Sequence, residues 1–498
     1  MSAFEDETIE TDVVVIGSGA TGMAAALTAA EGGAKVILLE KMGHTGGTSN
    51  FPEGMFAVES EMQRRQYIGI TRDDAFKMIM EYSHWRANPR VVRAFVNESA
   101  ATISWLQRLG VEFDGPMAIF PDGPRTWHLL KGPDKARSSV MMNTLAVRVR
   151  EKGIDIRLRT PAKELIKEAC PGRGQSRGNC VTGVIAETQG RTLRVKGKAV
   201  IIGSGGYANN KEWIKKYTGF DLDVNLFPIM NVNKMGDGIR MAWEAGAAEE
   251  GMGVLMTMRI GPLLGPGLKT MGQIESAGFQ PNLFVTQQGV RYFDEGRLTN
   301  FSFDGASISR VKEGYSYVIF DEAAKREWIS EGTITSAGMI VPPGTRLTDF
   351  EDEWKEAMEQ KNPNVFHGNS IEELATKIGT KPEVLRTTLD QYNGFCEKGH
   401  DDLFAKDPKY LRPLRGPGFY AMRCYRVFLT TIGGIKINDR MEVVDREEDP
   451  IPGLYAGGMD AGGVYGDSYD VYATGGALGF AFNSGRIAAR NALKYMGR

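Results

Sequence analysis

Three glycines near the start of the chain have the spacing of a turn that binds a dinucleotide. Gly17, Gly19 and Gly22 follow the apolar run Val13–Ile16. The first glycine permits a tight turn, the second lets the backbone approach a pyrophosphate, and the third allows close packing of helix and sheet. The helix N-terminus presents free N–H groups and a positive dipole end to the phosphates. These residues predict a phosphate-binding turn; the alternative is a glycine turn without a ligand.

An acidic residue follows at the distance expected of a ribose-binding carboxylate. Glu40 ends the apolar run Val36–Leu39, and its separation from Gly22 is close to the roughly 20 residues typical of this fingerprint. Small residues, including Ala24 and Ala25, follow the turn, as close helix packing requires. The glycines and the acid together indicate a dinucleotide site.

Strands and helices that hold this turn are visible in the hydrophobic pattern. A second apolar strand, residues 199–202, runs directly into Gly203-Ser-Gly205-Gly206, and Gly236-Asp-Gly238 opens a helix. Near the end of the chain, Leu454-Tyr-Ala-Gly-Gly458 repeats the strand-to-glycine pattern, and Gly475-Gly476 leads into a helix to about residue 496. Apolar strands alternating with helices predict an α/β fold with a Rossmann-like sheet.

The middle of the chain has a different pattern. Periodicity predicts helices over 73–83, 89–108 and 139–152, a loop over 115–137, and a hairpin over 181–195. From about 253 to 429, glycine and proline interrupt more often and the strands are short. We therefore expect residues 1–252 and 430–498 to form one domain, with 253–429 inserted as a second.

Composition excludes several classes of function. The chain has 498 residues, is 42% hydrophobic and 24% charged, and has a formal net charge of −2, so nucleic acid and anionic membranes are not expected partners. It has no stretch of about 18 consecutive apolar residues, and its acidic N-terminus lacks a secretory pattern, so we expect a cytoplasmic protein without a transmembrane segment. Its four cysteines include no CxxC pair, and we expect reduced thiols at Cys170 and Cys180 and no metal site.

The order of these motifs resembles the FAD-binding proteins of the fumarate reductase and succinate dehydrogenase flavoprotein superfamily, which also includes 3-ketosteroid dehydrogenases. The resemblance covers essentially the whole chain. It implies that the N-terminal fingerprint binds FAD, and that the inserted segment is an α+β capping domain with substrate bound between the two domains. The linked histidine of some relatives has a spacing that His44 does not match, so we expect non-covalent FAD.

The resemblance also implies roles for individual residues. The pyrophosphate would be held by the N-terminal turn, the adenosine ribose by Glu40 beside Lys41, and the adenine by the backbone of Ala162. Glycine-rich segments would line the rest of the path, and the helix after Gly475 would stabilise negative charge at the flavin pyrimidine edge. The expected cofactor-binding residues are Gly17, Ser18, Gly19, Ala20, Gly22, Glu40, Lys41, Gly46, Gly47, Thr48, Ser49, Gly54, Ala162, Gly205, Asp237, Gly458, Asp460, Gly475, Gly476, Ala477 and Leu478.

Departures from the fumarate reductase pattern bear on the substrate. Thr430 stands where those enzymes have a histidine, and Thr299, after Glu295, stands where they have a proton-donating arginine. The run from Gly466 to Gly475 also lacks their arginine. A carboxylate substrate is best held by bidentate cations. The sequence therefore predicts weak fumarate reduction.

Aromatic residues stand where the arginines are missing. Three tyrosines precede Gly475, and Trp127-His128 lies in another loop that the family brings to the active site. We expect catalytic residues among Tyr465, Tyr469, Tyr472, His128, Arg297 and Thr430. Each has a structural alternative: packing for the tyrosines, a satisfied buried polar group for His128, a surface ion pair for Arg297 and a strand end for Thr430.

The predicted reaction is that of a ketosteroid-dehydrogenase-like enzyme. A hydride would move between flavin N5 and the carbon β to a carbonyl, while a tyrosine exchanges the α-proton. The small-molecule substrate would be an uncharged carbonyl compound, in either direction of reaction. A separate electron donor or acceptor is expected, because no second dinucleotide fingerprint follows a strand. Open alternatives are a fumarate reductase-like enoate reductase, an electron-transfer flavoprotein subunit, and an enzyme using FAD for a non-redox reaction.

Overall fold

The computed structural model describes residues 7–119, 123–133, 136–170, 179–261, 272–335 and 342–498. Over these residues the strands are β1 (Glu7–Glu10), β2 (Val13–Ile16), β3 (Val36–Leu39), β4 (Gly54–Phe56), β5 (Phe113–Met117), β6 (Trp127–Leu130), β7 (Asp155–Arg157), β8 (Ala162–Ala169), β9 (Asn179–Thr188), β10 (Arg191–Lys196), β11 (Ala199–Ile202), β12 (Phe227–Pro228), β13 (Glu249–Glu250), β14 (Leu255–Ile260), β15 (Leu283–Val285), β16 (Tyr315–Asp321), β17 (Val365–Gly368), β18 (Phe419–Thr431), β19 (Gly434–Ile435), β20 (Glu442–Val444) and β21 (Pro450–Ala456). The helices are α1 (Ala20–Glu31), α2 (Glu61–Arg65), α3 (Arg72–Tyr82), α4 (Pro89–Arg108), α5 (Arg137–Glu151), α6 (Lys211–Thr218), α7 (Asp237–Glu244), α8 (Gln273–Gly278), α9 (Phe301–Ile308), α10 (Glu322–Ser330), α11 (Phe350–Glu359), α12 (Ile371–Ile378), α13 (Pro382–Lys398) and α14 (Gly476–Tyr495).

A six-stranded sheet carries the glycine-rich turns. Its strand order is β20-β21-β11-β2-β3-β7, and every neighbouring pair is parallel except β20 with β21. Strands β2, β3 and β11 are buried along their whole length, as expected for a parallel sheet with covered faces. At one edge, β2, β11 and β21 run into Gly17, Gly203 and Gly457. The predicted α/β class is confirmed.

Helices α1 and α14 cross at very close range beside this sheet. A Cβ placed on Gly485 of α14 would lie 2.3 Å from the carbonyl oxygen of Thr21 in α1. The small residues Ala24, Ala25 and Ala26 of α1 are all fully buried. Small residues therefore bring the N-termini of both helices toward the glycine-rich edge of the sheet.

The chain divides into two compact units. Unit 1 consists of Met1–Gly219, Met230–Met256 and Leu429–Arg498, and unit 2 of Phe220–Ile229 and Thr257–Phe428. The segment Phe220–Ile229, which the sequence pattern left in the first domain, joins unit 2 because β12 pairs with β18. The functions assigned to the domains stay predictions.

Unit 2 is built on an antiparallel sheet. Strand β18 pairs antiparallel with β16 and β17, and β16 pairs with β15. Helices α12 and α13 contribute Leu374, Leu385 and Leu389 to a core that includes Leu283 of β15. The separate core is consistent with a unit inserted into the surrounding chain.

Two local expectations were wrong. The predicted loop over 115–137, of which residues 120–122 and 134–135 lie outside the described part, contains β6 and the end of β5. With β4 these strands form a three-stranded antiparallel sheet. Cys170 and Cys180 form a disulfide across β8 and β9, with Cα atoms 5.1 Å apart, because strand pairing brings the two residues together. Cys396 and Cys424 are free thiols.

Two expected absences concern the described residues only. In that part of the chain, every helix is too short or too polar to cross a membrane. The same residues include no cluster of three or more His, Cys, Asp or Glu side chains that would hold a metal ion. The acidic residues 1–6 lie outside the described part.

Candidate cofactor and substrate site

The carboxylate of Glu40 is held against the N-terminal turn. Its Oε2 accepts hydrogen bonds from the backbone N–H of Ser18 (2.9 Å) and from Ser18 Oγ (2.6 Å), and its Oε1 accepts one from the N–H of Met42 (2.8 Å). Glu40 is buried. These bonds fix the side chain at the end of β3, while a carboxylate retains lone pairs for a further hydroxyl donor.

The glycine turn is shaped by contacts that larger residues would prevent. Gly17 has a φ of +94°, and a Cβ there would lie 2.4 Å from the carbonyl oxygen of Gly203. A Cβ on Gly22 would lie 1.7 Å from the carbonyl oxygen of Gly17. Gly19 differs, because its Cβ would meet nothing closer than Ser49 Oγ, at 3.4 Å. The first and third glycines serve close packing, and the second leaves space beside the start of α1.

The surroundings of this space fit a dinucleotide. Helix α1 begins without a side-chain cap at Gly19, although Ser49 Oγ accepts the N–H of Ala20 (2.9 Å). Thr48 Oγ1 is buried and has no hydrogen-bond partner among the described residues. A buried hydroxyl without a partner is costly. Thr48 and the first turn of α1 therefore provide polar groups for a phosphate-bearing ligand.

Removing the Glu40 carboxylate is expected to weaken FAD binding. In Glu40→Ala, the Ser18 N–H and hydroxyl lose their acceptor and the ribose loses its own, so we expect a loss of about 1–3 kcal/mol in binding free energy. Titration of the apoprotein with FAD, followed by flavin fluorescence, measures the dissociation constant. Glu359→Ala, at an exposed position of α11, is the control. Equal affinity in the two variants would contradict the assignment.

A second buried carboxylate organises the loop after β11. Asp460 accepts hydrogen bonds from Ser204 Oγ (2.9 Å) and from the backbone N–H groups of Gly205 (2.8 Å) and Gly206 (2.9 Å). Burial raises its pKa, and these bonds oppose the shift. Both Asp460 oxygens are used inside the protein, so its contribution to a cofactor site is to hold Gly205 in place. Another predicted cofactor residue, Asp237 at the start of α7, pairs with Lys41 Nζ at 2.7 Å.

The N-terminus of α14 forms another part of the candidate site. Gly475 precedes the helix with a φ of +76°, and a Cβ there would lie 2.7 Å from Met55 Cα. The backbone N–H of Ala477 donates to the Tyr469 hydroxyl at 3.4 Å. The ring of Tyr469 lies 4.9 Å from that of Tyr465, between centroids. A Cβ on Gly476 would lie 2.5 Å from the Tyr465 hydroxyl oxygen. Two tyrosine hydroxyls therefore lie at the start of α14.

Burial keeps these tyrosines protonated. It raises the pKa of Tyr469 to about 12 and raises the pKa of Tyr465 well above its usual value. Burial also raises the pKa of the neighbouring Asp470 to about 7. Asp470 Oδ1 accepts the N–H of Tyr472 (2.8 Å), and Oδ2 has no hydrogen-bond partner in the described part of the chain. Asp470 was not predicted from the sequence, although it stands between the candidate residues Tyr469 and Tyr472.

Two further predicted catalytic residues, Tyr472 and His128, make different contacts. The Tyr472 ring packs edge-on against Tyr82 of α3, 5.9 Å between centroids. His128 is fully buried, with Nε2 2.7 Å from Ser60 Oγ and Nδ1 3.1 Å from the carbonyl oxygen of Thr126. Burial lowers its pKa to about 4. A neutral His128 with both nitrogens engaged fits the structural alternative, and its role in substrate proton transfer stays a prediction.

Arg297 and Thr430 complete the predicted catalytic set. Arg297 belongs to unit 2, where its side chain is 68% exposed and lies 3.7 Å from Asp294. Thr430 is buried in unit 1, at the end of β18, and its Oγ1 accepts a hydrogen bond from Lys234 Nζ (3.2 Å). Lys234 was not predicted as a site residue. Its only sequence signal was its position two residues before the glycine motif at Gly236. The structure brings Tyr465, Tyr469 and Asp470 together, and separately Thr430 and Lys234.

The remaining predicted cofactor residues lie in turns, strands and helices of unit 1. The N–H of Gly46 donates to the carbonyl oxygen of Ser18 (3.1 Å), and nothing lies within 4 Å of a Cβ on Gly47. Gly54 lies in β4, where a Cβ would be 2.6 Å from the carbonyl oxygen of His128. Ala162 begins β8, Gly458 follows β21, and Leu478 is buried in α14. The predicted ligand contacts of these residues stay predictions.

Comparison with known proteins supports the cofactor assignment. A family model described as "FAD binding domain" matches residues 12–475. A vinyl phenol reductase from Lactiplantibacillus plantarum is 36% identical over 492 residues, covering 97% of this chain and 96% of that protein. A 3-oxosteroid 1-dehydrogenase from Mycolicibacterium smegmatis is 24% identical, with 96% of each protein covered. The solved open conformation of a flavocytochrome c3 fumarate reductase has a TM-score of 0.72 at 25% identity, covering 98% of this chain and 78% of that one. The resemblance drawn from the sequence is confirmed.

Proposed function

This chain belongs to the FAD binding domain family, and from that premise we propose that it reduces a carbon–carbon double bond conjugated to a phenol ring or carbonyl group, in a substrate without a carboxylate. It binds FAD and is an oxidoreductase of the kind that acts on C=C bonds. The proposal concerns the substrate class, the direction of reaction and the residues that act on the substrate.

The observation that carries the proposal is the placement of Tyr469. Its hydroxyl accepts the Ala477 N–H at the start of α14, in a loop that has no arginine between Gly466 and Gly475. A loop without an arginine favours a substrate without a carboxylate, because it offers no two-pronged cation to match a carboxylate, and an unmatched carboxylate is costly to bury. The vinyl phenol reductase, similar over nearly the full length of both proteins, supports a phenol ring as the conjugated group.

Reduction of such an alkene needs a hydride on one carbon and a proton on the other. When bound and reduced, FAD supplies the hydride from N5 and is left oxidised, so a separate reductant must restore it. Tyr469 would donate the proton from its hydroxyl, and its raised pKa keeps that proton available at neutral pH. The Ala477 N–H would then stabilise the resulting tyrosinate, as would the positive end of the α14 dipole.

The reverse reaction is a second candidate. Desaturation of a ketone uses the same groups, with Tyr469 accepting the proton instead of donating it. The similarity to a 3-oxosteroid 1-dehydrogenase supports this candidate at lower identity and equal coverage. The electron partner in this direction would be an acceptor rather than a donor.

A substrate panel tests the proposal. Reduced protein is mixed anaerobically with 4-vinylphenol, a cyclic enone or fumarate, and reoxidation of the flavin is followed by absorbance. We expect fumarate to react more slowly by at least about 100-fold, because the loss of one charged hydrogen bond of about 3 kcal/mol already corresponds to that factor. Fumarate reacting as fast as the neutral alkenes would overturn the proposal. Oxidised protein mixed with a 3-ketosteroid tests the reverse direction.

A further inference from the structure

A fully buried lysine lies in unit 1 without a carboxylate partner. Lys234 is 5% exposed, and its Nζ donates to Thr430 Oγ1 at 3.2 Å. Among the described residues, this ammonium group has a hydroxyl as its hydrogen-bond partner and no carboxylate in salt-bridge contact. A buried ammonium with a single hydroxyl partner has lost most of its hydration without replacement, which is costly unless a ligand supplies the missing acceptors.

The nearest anion is already engaged elsewhere. Asp460 favours the charged form of Lys234 through its field, but its oxygens accept the Ser204 hydroxyl and two backbone N–H groups. Asp460 therefore stabilises the ammonium from a distance without saturating it. Burial lowers the pKa of Lys234 to about 8, so the group is still mostly protonated at neutral pH.

The local backbone holds Lys234 in this position. Its N–H donates to Asn209 Oδ1 (2.8 Å), and the N–H of Asn209 donates to the Lys234 carbonyl oxygen (2.8 Å). The side chain passes Gly205, where a Cβ would lie 3.6 Å from Lys234 Cε. The ammonium is thus fixed beside the loop that Asp460 organises, and it is preorganised rather than mobile.

We propose that Lys234 Nζ binds the anionic oxygen of the substrate, a phenolate or an enolate oxygen. The inference rests on the proposed function and adds a specific contact to it. Hydride addition to an enone places negative charge on the carbonyl oxygen. For a vinylphenol, Tyr469 would protonate the terminal vinyl carbon of the phenolate to give a quinone methide, and hydride addition to that species returns the negative charge to the phenolic oxygen. In both cases a nearby ammonium stabilises the charged oxygen. A single ammonium suits one oxygen, whereas a carboxylate is matched better by the two-pronged guanidinium of arginine.

Equilibrium binding to the oxidised protein tests this contact without turnover. Binding of 4-ethylphenol is measured by calorimetry for the wild type, for Lys234→Met and for Lys152→Met, an exposed lysine after α5. We expect Lys234→Met to weaken phenol binding by about 10- to 150-fold, the range for a hydrogen bond to a charged group. Lys152→Met should bind as the wild type does. A Lys234→Met variant that binds the phenol with the wild-type dissociation constant would overturn the inference.

The methyl ether of the phenol provides a matched chemical deletion. The ether should bind the wild-type protein as weakly as the phenol binds Lys234→Met. In Lys234→Met, replacing the phenol by the ether should weaken binding little further, since each change removes the same contact between Lys234 and the phenolic oxygen. Independent, additive losses would contradict a direct contact. FAD affinity is measured in parallel: a loss there with intact phenol binding assigns Lys234 to a cofactor oxygen and overturns the inference.

A measurement on the wild type covers the case in which the variant does not fold. 4-Nitrophenol is coloured as its anion, and at mildly acidic pH the free probe is mostly protonated. Binding beside an ammonium favours the anion, so the anion absorbance should rise when protein is added. A bound probe that stays neutral overturns the inference. Failure of the proposed function has a different signature, because the wild type would then reduce fumarate as fast as 4-vinylphenol.

Discussion

Replacing Tyr469 with phenylalanine is expected to slow hydride transfer to the best alkene substrate by about 10²- to 10⁴-fold, the usual contribution of a general acid. Phenylalanine keeps the ring that packs 4.9 Å from Tyr465 and removes the hydroxyl that accepts the Ala477 N–H. FAD content and folding should therefore change little. Anaerobic stopped-flow mixing of reduced enzyme with substrate, followed at the flavin absorbance, measures the rate of this step directly.

Tyr472→Phe is the matched control in the same loop. Its ring packs edge-on against Tyr82 of α3, and the hydroxyl that accepts the Ala477 N–H belongs to Tyr469. We expect this variant to keep most of the wild-type rate. If both variants react at the wild-type rate, proton transfer by Tyr469 is wrong. The next groups to test are then Tyr465 and Asp470, and burial raises the pKa of Asp470 to about 7.

The N-terminal glycine turn and the position of Glu40 were readable from the sequence because local rules determine them. Gly22 is required by a contact of α1 with the carbonyl oxygen of Gly17 in the same turn, and Glu40 follows at a separation that one βαβ unit sets. Such constraints are short in sequence, so spacing alone reveals them. Helix α4 was predicted over its full length for the same reason, since its apolar stripe repeats every turn.

The candidate substrate residues and the disulfide were less readable because they depend on burial and on long-range contacts. His128 looked like a candidate acid or base, and only the packing of β4 and β6 shows that both its nitrogens are engaged. Lys234 and Thr430 lie 196 positions apart in the chain, so no spacing rule predicts their hydrogen bond. The disulfide between Cys170 and Cys180 likewise follows from the register of β8 and β9.

Glu295 shows how a residue singled out by motif can have a structural role. It was noted as the acid that precedes Thr299, yet its carboxylate is fully buried in unit 2 and paired with Arg291. Arg291 Nε and Nη2 donate to the two oxygens of Glu295 at 3.0 and 2.8 Å, and Nη1 and Nη2 donate to those of Asp401 at 3.1 and 2.8 Å. Lys406 Nζ lies 3.3 Å from Glu295, which completes a buried group of two cations and two anions.

Replacing Arg291 with methionine is expected to destabilise the protein by about 3–5 kcal/mol, because two buried carboxylates would then face one ammonium. Equilibrium urea denaturation followed by tryptophan fluorescence measures the change, since Trp328 and Trp354 of unit 2 are buried and report on its unfolding. Arg386→Met is the matched control: it removes an arginine of the same unit that pairs with Glu372 at a half-exposed position, where a loss of no more than about 1 kcal/mol is typical. A loss at Arg291 no larger than that at Arg386 would show that the carboxylates protonate or rehydrate at little cost. In that case the network around Glu295 would not be what holds unit 2 together.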